Sequence, residues 1–316
     1  MTVAPMTATE TRRFLAEEIR VTANIRSPGI VDAIASVPRD KFLPPGPWII
    51  RGAADIFGPP RHTDDADPRH VHHDIAVAID PARHLYNGQP SLIARWLEET
   101  GVAEGQRVVH IGTGTGYFTA LLAHIVGPTG HVHGIEIDPD LAGQAAANLA
   151  EWPWAVIQQG NGDAIQSNDN DVVLVHAGAT HLLDAWLDAL RDGGRLLVPL
   201  SGAMSAAADV SATKFMPEGM KGGMPAAMKA ALIANISKGF MVLVTRTGHD
   251  WRVRPLPSIP VAIYSLKDVR DETLGAALGQ AMMTGRLMKV SRVRRDQHVA
   301  DESCVVHGMT TCLTAD

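Results

Sequence analysis

Apolar and polar positions fall into two rhythms along the chain. Short apolar runs at Arg107–Ile111, His131–Ile137, Trp154–Gln158, Asp171–His176 and Arg195–Pro199 have strand length. Helix-patterned stretches at 116–126, Pro139–Ala150 and His181–Arg191 lie between them, and Gly193-Gly194 reads as the stop of the last. Strands alternating with helices at short spacing predict a parallel sheet with helices on both faces. Upstream the pattern is helical. Residues 10–25 form a charged helix with Phe14, Leu15 and Ile19 on one side. Ser27 before Pro28 reads as an N-cap followed by proline at the first helical position. Ile30, Val31 and Ile34 form that helix's apolar face, and Pro38 stops it. Gln89-Pro90 opens another helix that buries Leu92, Ile93, Trp96 and Leu97. Residues 43–75 hold six prolines with His62, His70, His72 and His73, and read as a long irregular loop.

Past the fifth strand, residues 203–238 are rich in Ala, Met and Gly and break the alternation. Met216, Met220, Met224 and Met228 recur every four positions, but Gly219, Gly222, Gly223 and Pro225 interrupt a continuous helix before Ala226. Thioethers adapt to varied apolar surfaces, so a lid over the site and a subunit interface both fit the segment. Phe240–Thr245 and Trp251–Pro255 then suggest an antiparallel pair, 268–285 a helix, and the tail from Asp301 carries Cys304, Cys312 and His307. These breaks divide the chain into 1–80, 81–202, 203–238 and 239–316.

Composition narrows the functional classes. A net charge of -6 and a pI near 6.1 argue against nucleic acid as the partner, because a phosphate backbone needs clustered Lys and Arg. Two cysteines do not make a secreted disulfide framework. They are expected to be reduced thiols, and no catalytic cysteine is expected. With no basic region followed by an apolar run at the start and no membrane-length apolar stretch, the cytoplasm is the expected compartment, with no membrane partner and a homodimer allowed.

The chemistry concentrates at Val108–Tyr117, where a strand enters a glycine-rich turn and a helix leaves it. Glycine admits positive φ and close approach of a ligand, at the ligand-binding end of an open parallel sheet. Dinucleotide folds need G-x-G-x-x-G to seat a pyrophosphate. Here Gly112, Gly114 and Gly116 bring the third glycine one residue early, and Tyr117 fills the dehydrogenase position. The spacing suits a ligand without phosphate, such as S-adenosylmethionine. Glu136, at the end of the next strand, is placed to accept hydrogen bonds from ribose hydroxyls, with Ile135 and Ile137 expected to point into the packing. Asn161 or Asp163, after the third strand, is placed near an adenine edge.

Val108–Leu122 (VVHIGTGTGYFTALL), His133–Asp138 (HGIEID), Gly160–Gly162, Val175–Ala179 (VHAGA) and Gly193–Pro199 (GGRLLVP) together resemble the protein-L-isoaspartate O-methyltransferase family. Ile30–Pro44 (IVDAIASVPRDKFLP) resembles its N-terminal segment. The resemblance implies a class I methyltransferase fold, Rossmann-like, with a doubly wound, mostly parallel seven-stranded α/β sheet, an N-terminal helical segment and a C-terminal extension. It also implies S-adenosylmethionine as cofactor and a side-chain carboxylate of a peptide or protein as methyl acceptor. The implied cofactor set is Gln89, Gly112, Thr113, Gly114, Thr115, Gly116, Glu136, Ile137, Asn161 and Gly162. The family's Q-T-I-S-Q-P loop over cofactor and substrate corresponds to Leu85–Pro90, which places Asn87 and Gly88 on the acceptor side. Its serine falls on Gly88, while His110 replaces the usual acid and Asn161 the usual aspartate. These departures leave a small-molecule O-methyltransferase and a non-catalytic S-adenosylmethionine-binding module as alternatives.

A carboxylate acceptor is ionised at neutral pH and needs no general base, so alignment and water exclusion carry the reaction. The Gly88 backbone N–H is a candidate donor to the acceptor oxygen. An amine or phenol acceptor would need a histidine base. His72, His73, His84 and His176 are the candidates, His176 foremost because it ends a strand, although packing beside the cofactor also accounts for it. The Arg69–Asp74 histidines lack helical metal-ligand spacing, so no metal is expected.

Overall fold

A computed structural model describes residues 6–52, 60–83, 85–202, 239–256, 269 and 271–315. The 203–238 insert, with its lid and interface readings, and His84 lie outside the described residues. The chain forms two compact units, Met1–Asn161 and Gly162–Asp316.

The first unit opens with α1 (Ala8–Thr22), started by a capping box in which Thr7 and Glu10 exchange backbone and side-chain hydrogen bonds. It buries Thr11, Leu15, Ala16 and Ile19, whereas Phe14, expected on that face, is 59% exposed. Phe14 lies one residue, about 100° of helix, from Leu15, and the stripe that Leu15 and Ile19 define turns it outward. Helix α2 (Pro28–Ser36) starts after Ser27 as expected, although the Ser27 side chain makes no cap bond.

The expected irregular loop instead contains strands. The described residues hold β1 (Ile49–Arg51), β2 (Arg61–His62), β3 (Ala76–Asp80) and β4 (Leu85–Asn87) in an antiparallel sheet ordered β2-β1-β3-β4. Trp48, Ile50, Val71 and Val77 form its core with Leu43 and Ile75 packed against them. Strands of two to five residues among prolines carry too little alternation to be read from sequence.

Helix α3 (Pro90–Thr100) leads into the parallel part: β5 (Arg107–Ile111), α4 (Tyr117–Val126), β6 (His131–Glu136), α5 (Pro139–Asn148) and β7 (Ala155–Gln159). Strand β6 lies between β5 and β7, parallel to both, with Ile111 opposite Ile135 and Glu136 opposite Gln159. All but one residue of β5 is buried, which explains its unbroken apolar reading.

The second unit begins with β8 (Asn170–Val175), parallel to β9 (Leu190–Leu200), with the short helix α6 (Asp184–Asp188) between them. Strand β9 starts earlier than expected and runs through Gly193-Gly194, with Gly193 at φ 74°. The glycines are therefore an irregularity inside a strand rather than a helix stop. Strand β10 (Phe240–Thr247) pairs antiparallel with β9 and with β11 (Asp250–Leu256), the pair expected from sequence. After α7 (Glu272–Met283), capped by Asp271, come β12 (Val290–Arg294), β13 (Cys304–His307) and β14 (Cys312–Ala315), an antiparallel extension. The architecture is thus α/β, a parallel core with helices and a C-terminal extension.

Candidate donor site

In the first unit the chain leaves β5 through Gly112, Gly114 and Gly116, all at positive φ (81°, 55° and 93°). Gly116 is the N-cap of α4 in left-handed geometry, and a Cβ there would lie 3.2 Å from the Ala145 Cβ of α5. Both its conformation and its neighbour require glycine. Thr113 and Thr115 are buried; the Thr115 carbonyl accepts from the Asn148 side chain at 2.9 Å. Close packing of the turn on β6 explains Gly134, where a Cβ would come within 2.8 Å of Thr113 Cγ2 and 2.5 Å of Ile157 Cδ1.

Glu136 ends β6 and is only 7% exposed. Its Oε2 accepts from the Gly114 N–H at 2.7 Å and its Oε1 from the Asp138 N–H at 3.1 Å. Burial pushes its carboxyl above the usual range, opposed by the Asp138, Gly114 and Ile137 amides. A carboxylate offers about four acceptor sites, so these amides leave acceptor capacity for a ligand. Ile137 departs from expectation: it is 42% exposed, because β6 ends at Glu136 and the next side chain falls in the turn, whereas Ile135 is buried. The Gly160 N–H donates to the Glu136 carbonyl at 2.9 Å, which brings the half-buried Asn161 next in chain to the same strand end. Asp138 caps α5, accepting from the Asp140 and Leu141 amides, and is ion-paired to Arg83.

Strand β3 links this turn to the loop after β4. Its Ile79 Cδ1 would be 3.6 Å from a Cβ on Gly114, and its Val77 pairs with Asn87. Asn87 and Gly88 are held by Arg39, which lies in the Ile30–Pro44 segment but had no role assigned from sequence and is 0% exposed. Its Nε donates to Asn87 Oδ1 at 2.8 Å, Nη2 to the Asn87 and Gly88 carbonyls at 3.1 and 2.8 Å, and Nη1 to the Val71 and His73 carbonyls at 3.2 and 3.5 Å. All five guanidinium donors are used. Burial pulls Arg39 down to about 10, so it remains charged at neutral pH. The Asn87 side-chain oxygen is thereby committed to holding the loop. A Cβ on Gly88 would meet only Ile93, at 3.8 Å. Gln89 donates to the Asp74 carbonyl at 3.3 Å, while Asp74 accepts from the Ser91 amide and hydroxyl. Tyr117, in the dehydrogenase glycine position, is buried against Phe42, with ring centroids 5.6 Å apart and the Arg39 guanidinium 5.8 Å from its ring. His110 donates to or accepts from Thr119 at 2.8 Å in the core.

The expected residues do not all share one unit. Gln89, the glycine turn, Glu136, Ile137 and Asn161 belong to the first; Gly162 and His176 belong to the second. The Gly162 carbonyl accepts from the Trp186 indole at 2.6 Å. His176 follows β8, and burial pulls it down to about 3, too weakly basic for a general base at neutral pH. His73 is also lowered by burial, and His72 sits 3.1 Å from Asp40. Among the described residues, His70, His72 and His73 form no metal-ligating group.

The family model described as protein-L-isoaspartate(D-aspartate) O-methyltransferase (PCMT) matches residues 61–214, a span that holds the turn, Glu136 and the Asn87–Gln89 loop. Protein-L-isoaspartate O-methyltransferase 1 of Anaeromyxobacter sp. (strain Fw109-5) is 34% identical over 184 residues, covering 57% of this chain and 75% of the relative. The chain belongs to the protein-L-isoaspartate O-methyltransferase family. It is therefore a class I, S-adenosylmethionine-dependent methyltransferase. The fold agrees: a solved protein-L-isoaspartate O-methyltransferase superposes with a TM-score of 0.57 at 17% identity, covering 98% of this chain and 88% of that one. A Plasmodium falciparum structure, described as a putative member in complex with S-adenosyl-L-homocysteine, superposes with a TM-score of 0.54 at 17% identity, covering 81% of this chain and 98% of that one. The family match starts after Ile30–Pro44, so the resemblance read there lies outside it. Among the described residues, no helix is long and apolar enough to cross a membrane.

Proposed function

We propose that this methyltransferase transfers the S-adenosylmethionine methyl group to a side-chain carboxylate of a peptide or protein, of the isoaspartyl type or a close relative of it. The observation that carries the reading is the family match over residues 61–214, which takes in the Gly112–Gly116 turn, the Asn87–Gln89 loop and Glu136, a buried carboxylate tied to the Gly114 amide. The residues present fit the cofactor: Gly112, Gly114 and Gly116 let a ligand approach the backbone of the turn, and Glu136 is an acceptor suited to a ribose diol. Thr113, Thr115, Ile137, Asn161, Gly162 and Gln89 complete the proposed binding set. When bound, the cofactor supplies an electrophilic methyl group on a sulfonium.

The chain's own part is to bind, orient and exclude water. Arg39 holds the Asn87 and Gly88 carbonyls inward, which directs this loop by its backbone. We assign the Gly88 N–H to the acceptor oxygen and Asn87 to positioning. An acceptor ionised at neutral pH needs no proton removed. The lowered basicity of His176 suits that acceptor better than an amine or phenol, and makes His176 a packing group. Gly88 in place of the family's serine supports a second reading, a small-molecule O-methyltransferase. A cytoplasmic homodimer remains part of the proposal.

The test is mass spectrometry after incubation with labelled cofactor and three acceptors: an isoaspartyl peptide, its aspartyl counterpart and a cell extract. A methyl ester on the isoaspartyl peptide alone is expected. Label only in small metabolites of the extract would favour the second reading, and tight cofactor binding without any transfer would overturn both.

A further inference from the structure

The second unit gathers four metal-ligating side chains outside the stretch matched by the family model. His298, Cys304, His307 and Cys312 each present one ligand atom, and the four atoms all lie within 4.8 Å of one another. Zinc–sulfur bonds of about 2.3 Å and zinc–nitrogen bonds of about 2.0–2.1 Å in a tetrahedron put neighbouring ligand atoms roughly 3.3–3.8 Å apart. Cys304 Sγ and His298 Nε2 are 3.4 Å apart.

Backbone geometry explains how the group forms. Strands β13 and β14 are antiparallel with His307 opposite Cys312. In a regular strand Cys304 and His307, three residues apart, would face opposite sides. The register shifts between Cys304 and Val306, and such an irregularity re-aims a side chain. His298 arrives from the loop after β12, where Arg294 pairs with Asp296 at 2.7 Å and with Asp301 at 3.1 Å.

Two further hydrogen bonds prepare these atoms as ligands. His298 Nδ1 lies 2.8 Å from the Asp296 carbonyl, which can only accept, so Nδ1 carries the proton and Nε2 turns a lone pair toward the cluster. Metal-bound histidines are oriented in this way by the ring nitrogen that does not bind. The Asp301 amide donates to Cys304 Sγ at 3.4 Å, a bond that a thiolate strengthens. Cys312 is 1% exposed, where two thiolates without a cation would be costly.

We propose that His298, Cys304, His307 and Cys312 bind one structural Zn²⁺ in a tetrahedral site with two sulfur and two nitrogen ligands. Binding converts both thiols to thiolates and releases two protons to solvent. The two thiolates balance the dication, so the assembled site carries no net charge. Two borderline-soft donor types suit zinc rather than magnesium or calcium. Four protein ligands leave no open position, which makes the site structural. It pins the loop after β12 to the C-terminal hairpin. From sequence, only the Arg69–Asp74 histidines were weighed as metal ligands, and His298 was not among them.

The experiment purifies the full chain from zinc-supplemented medium, dialyses it against metal-free buffer and measures zinc and reactive thiols per chain. One zinc per chain is expected, with both thiols protected until a strong chelator is added. Chelation should lower Tm by several degrees. Cys304→Ser and Cys312→Ser should each lose the zinc, while His249→Ala, at an exposed histidine outside the group, should keep it. As a readout independent of the folding of the cysteine variants, Co²⁺ is loaded into the unaltered stripped chain, where strong thiolate-to-cobalt and tetrahedral absorption bands are expected. A chain with two freely reactive thiols and no bound metal overturns the proposal, as do a Cys304–Cys312 disulfide, a cobalt complex without thiolate bands, or zinc retained by both cysteine variants.

Discussion

Arg39 and Glu136 are both buried charges in the same unit, and they are used in opposite ways. Arg39 spends every guanidinium donor on side-chain and backbone oxygens of the chain itself. Glu136 accepts backbone amides on both carboxylate oxygens and keeps acceptor capacity. A buried charge with all its hydrogen bonds satisfied within the chain is scaffold. One with capacity left over carries a desolvation cost that a ligand can offset. The contrast separates a framework that holds the Asn87–Gly88 loop from a carboxylate left able to accept a ligand's hydrogen bonds.

Removing Arg39 is the strongest challenge to this contrast. Arg39→Leu leaves several buried oxygens without their donor and should destabilise the fold by roughly 3–5 kcal/mol in urea unfolding, because each buried acceptor left unpaired costs about 1–3 kcal/mol. Arg39→Lys keeps a charge but not the fork, and should recover only part of the loss. Unfolding unchanged by either substitution would remove Arg39 from the framework.

Glu136→Gln should act on binding more than on folding. Cofactor affinity by calorimetry should fall about 10–100-fold, matching about 1.5–3 kcal/mol for hydrogen bonds to a charged group. The amide oxygen retains one of the two backbone bonds, so stability should fall by only about 1–2 kcal/mol. Equal losses of affinity and stability in both the Arg39 and Glu136 variants would erase the contrast.

The pH dependence sharpens the same point. Burial raises the Glu136 carboxyl. Its contribution to folding stability is therefore present below its unfolded value and lost as pH rises through the folded one. Cofactor affinity runs the other way: it needs the carboxylate and should weaken as pH falls through that raised value. Calorimetric titrations from neutral to mildly acidic pH read this directly, and a flat affinity profile would exclude Glu136 as the ribose acceptor.

Smaller effects are expected at the glycines. Gly116→Ala meets both φ 93° and Ala145, and should cost about 1–3 kcal/mol of stability. Gly88→Ser has room beside Ile93 and should change stability by less than about 0.5 kcal/mol. It restores the family's residue and should raise methyl transfer to the isoaspartyl peptide; unchanged turnover would show that the hydroxyl is dispensable here.

Legibility differed between the site's parts. Strand β5, the turn and α4 appear in the sequence because they are contiguous: a buried apolar run, glycines at required φ and a helix follow one another. Glu136 was found by its distance from that turn. The role of Arg39 was not, because Asn87 and Gly88 lie almost 50 residues away and four of its five bonds run to backbone carbonyls, which leave no mark in a sequence. Ile137 was assigned to the packing because alternation cannot tell where a strand stops.

By itself, the sequence determined the parallel α/β alternation, the glycine turn after β5 and the acid beside it. These rest on local rules: side-chain period, φ and a short offset along the chain. Only the tertiary structure decided that Arg39, from the N-terminal segment, holds the Asn87–Gly88 loop. It alone assembled His298 with Cys304, His307 and Cys312. Those groupings depend on loop closure and strand register, which bring together residues that no sequence period relates.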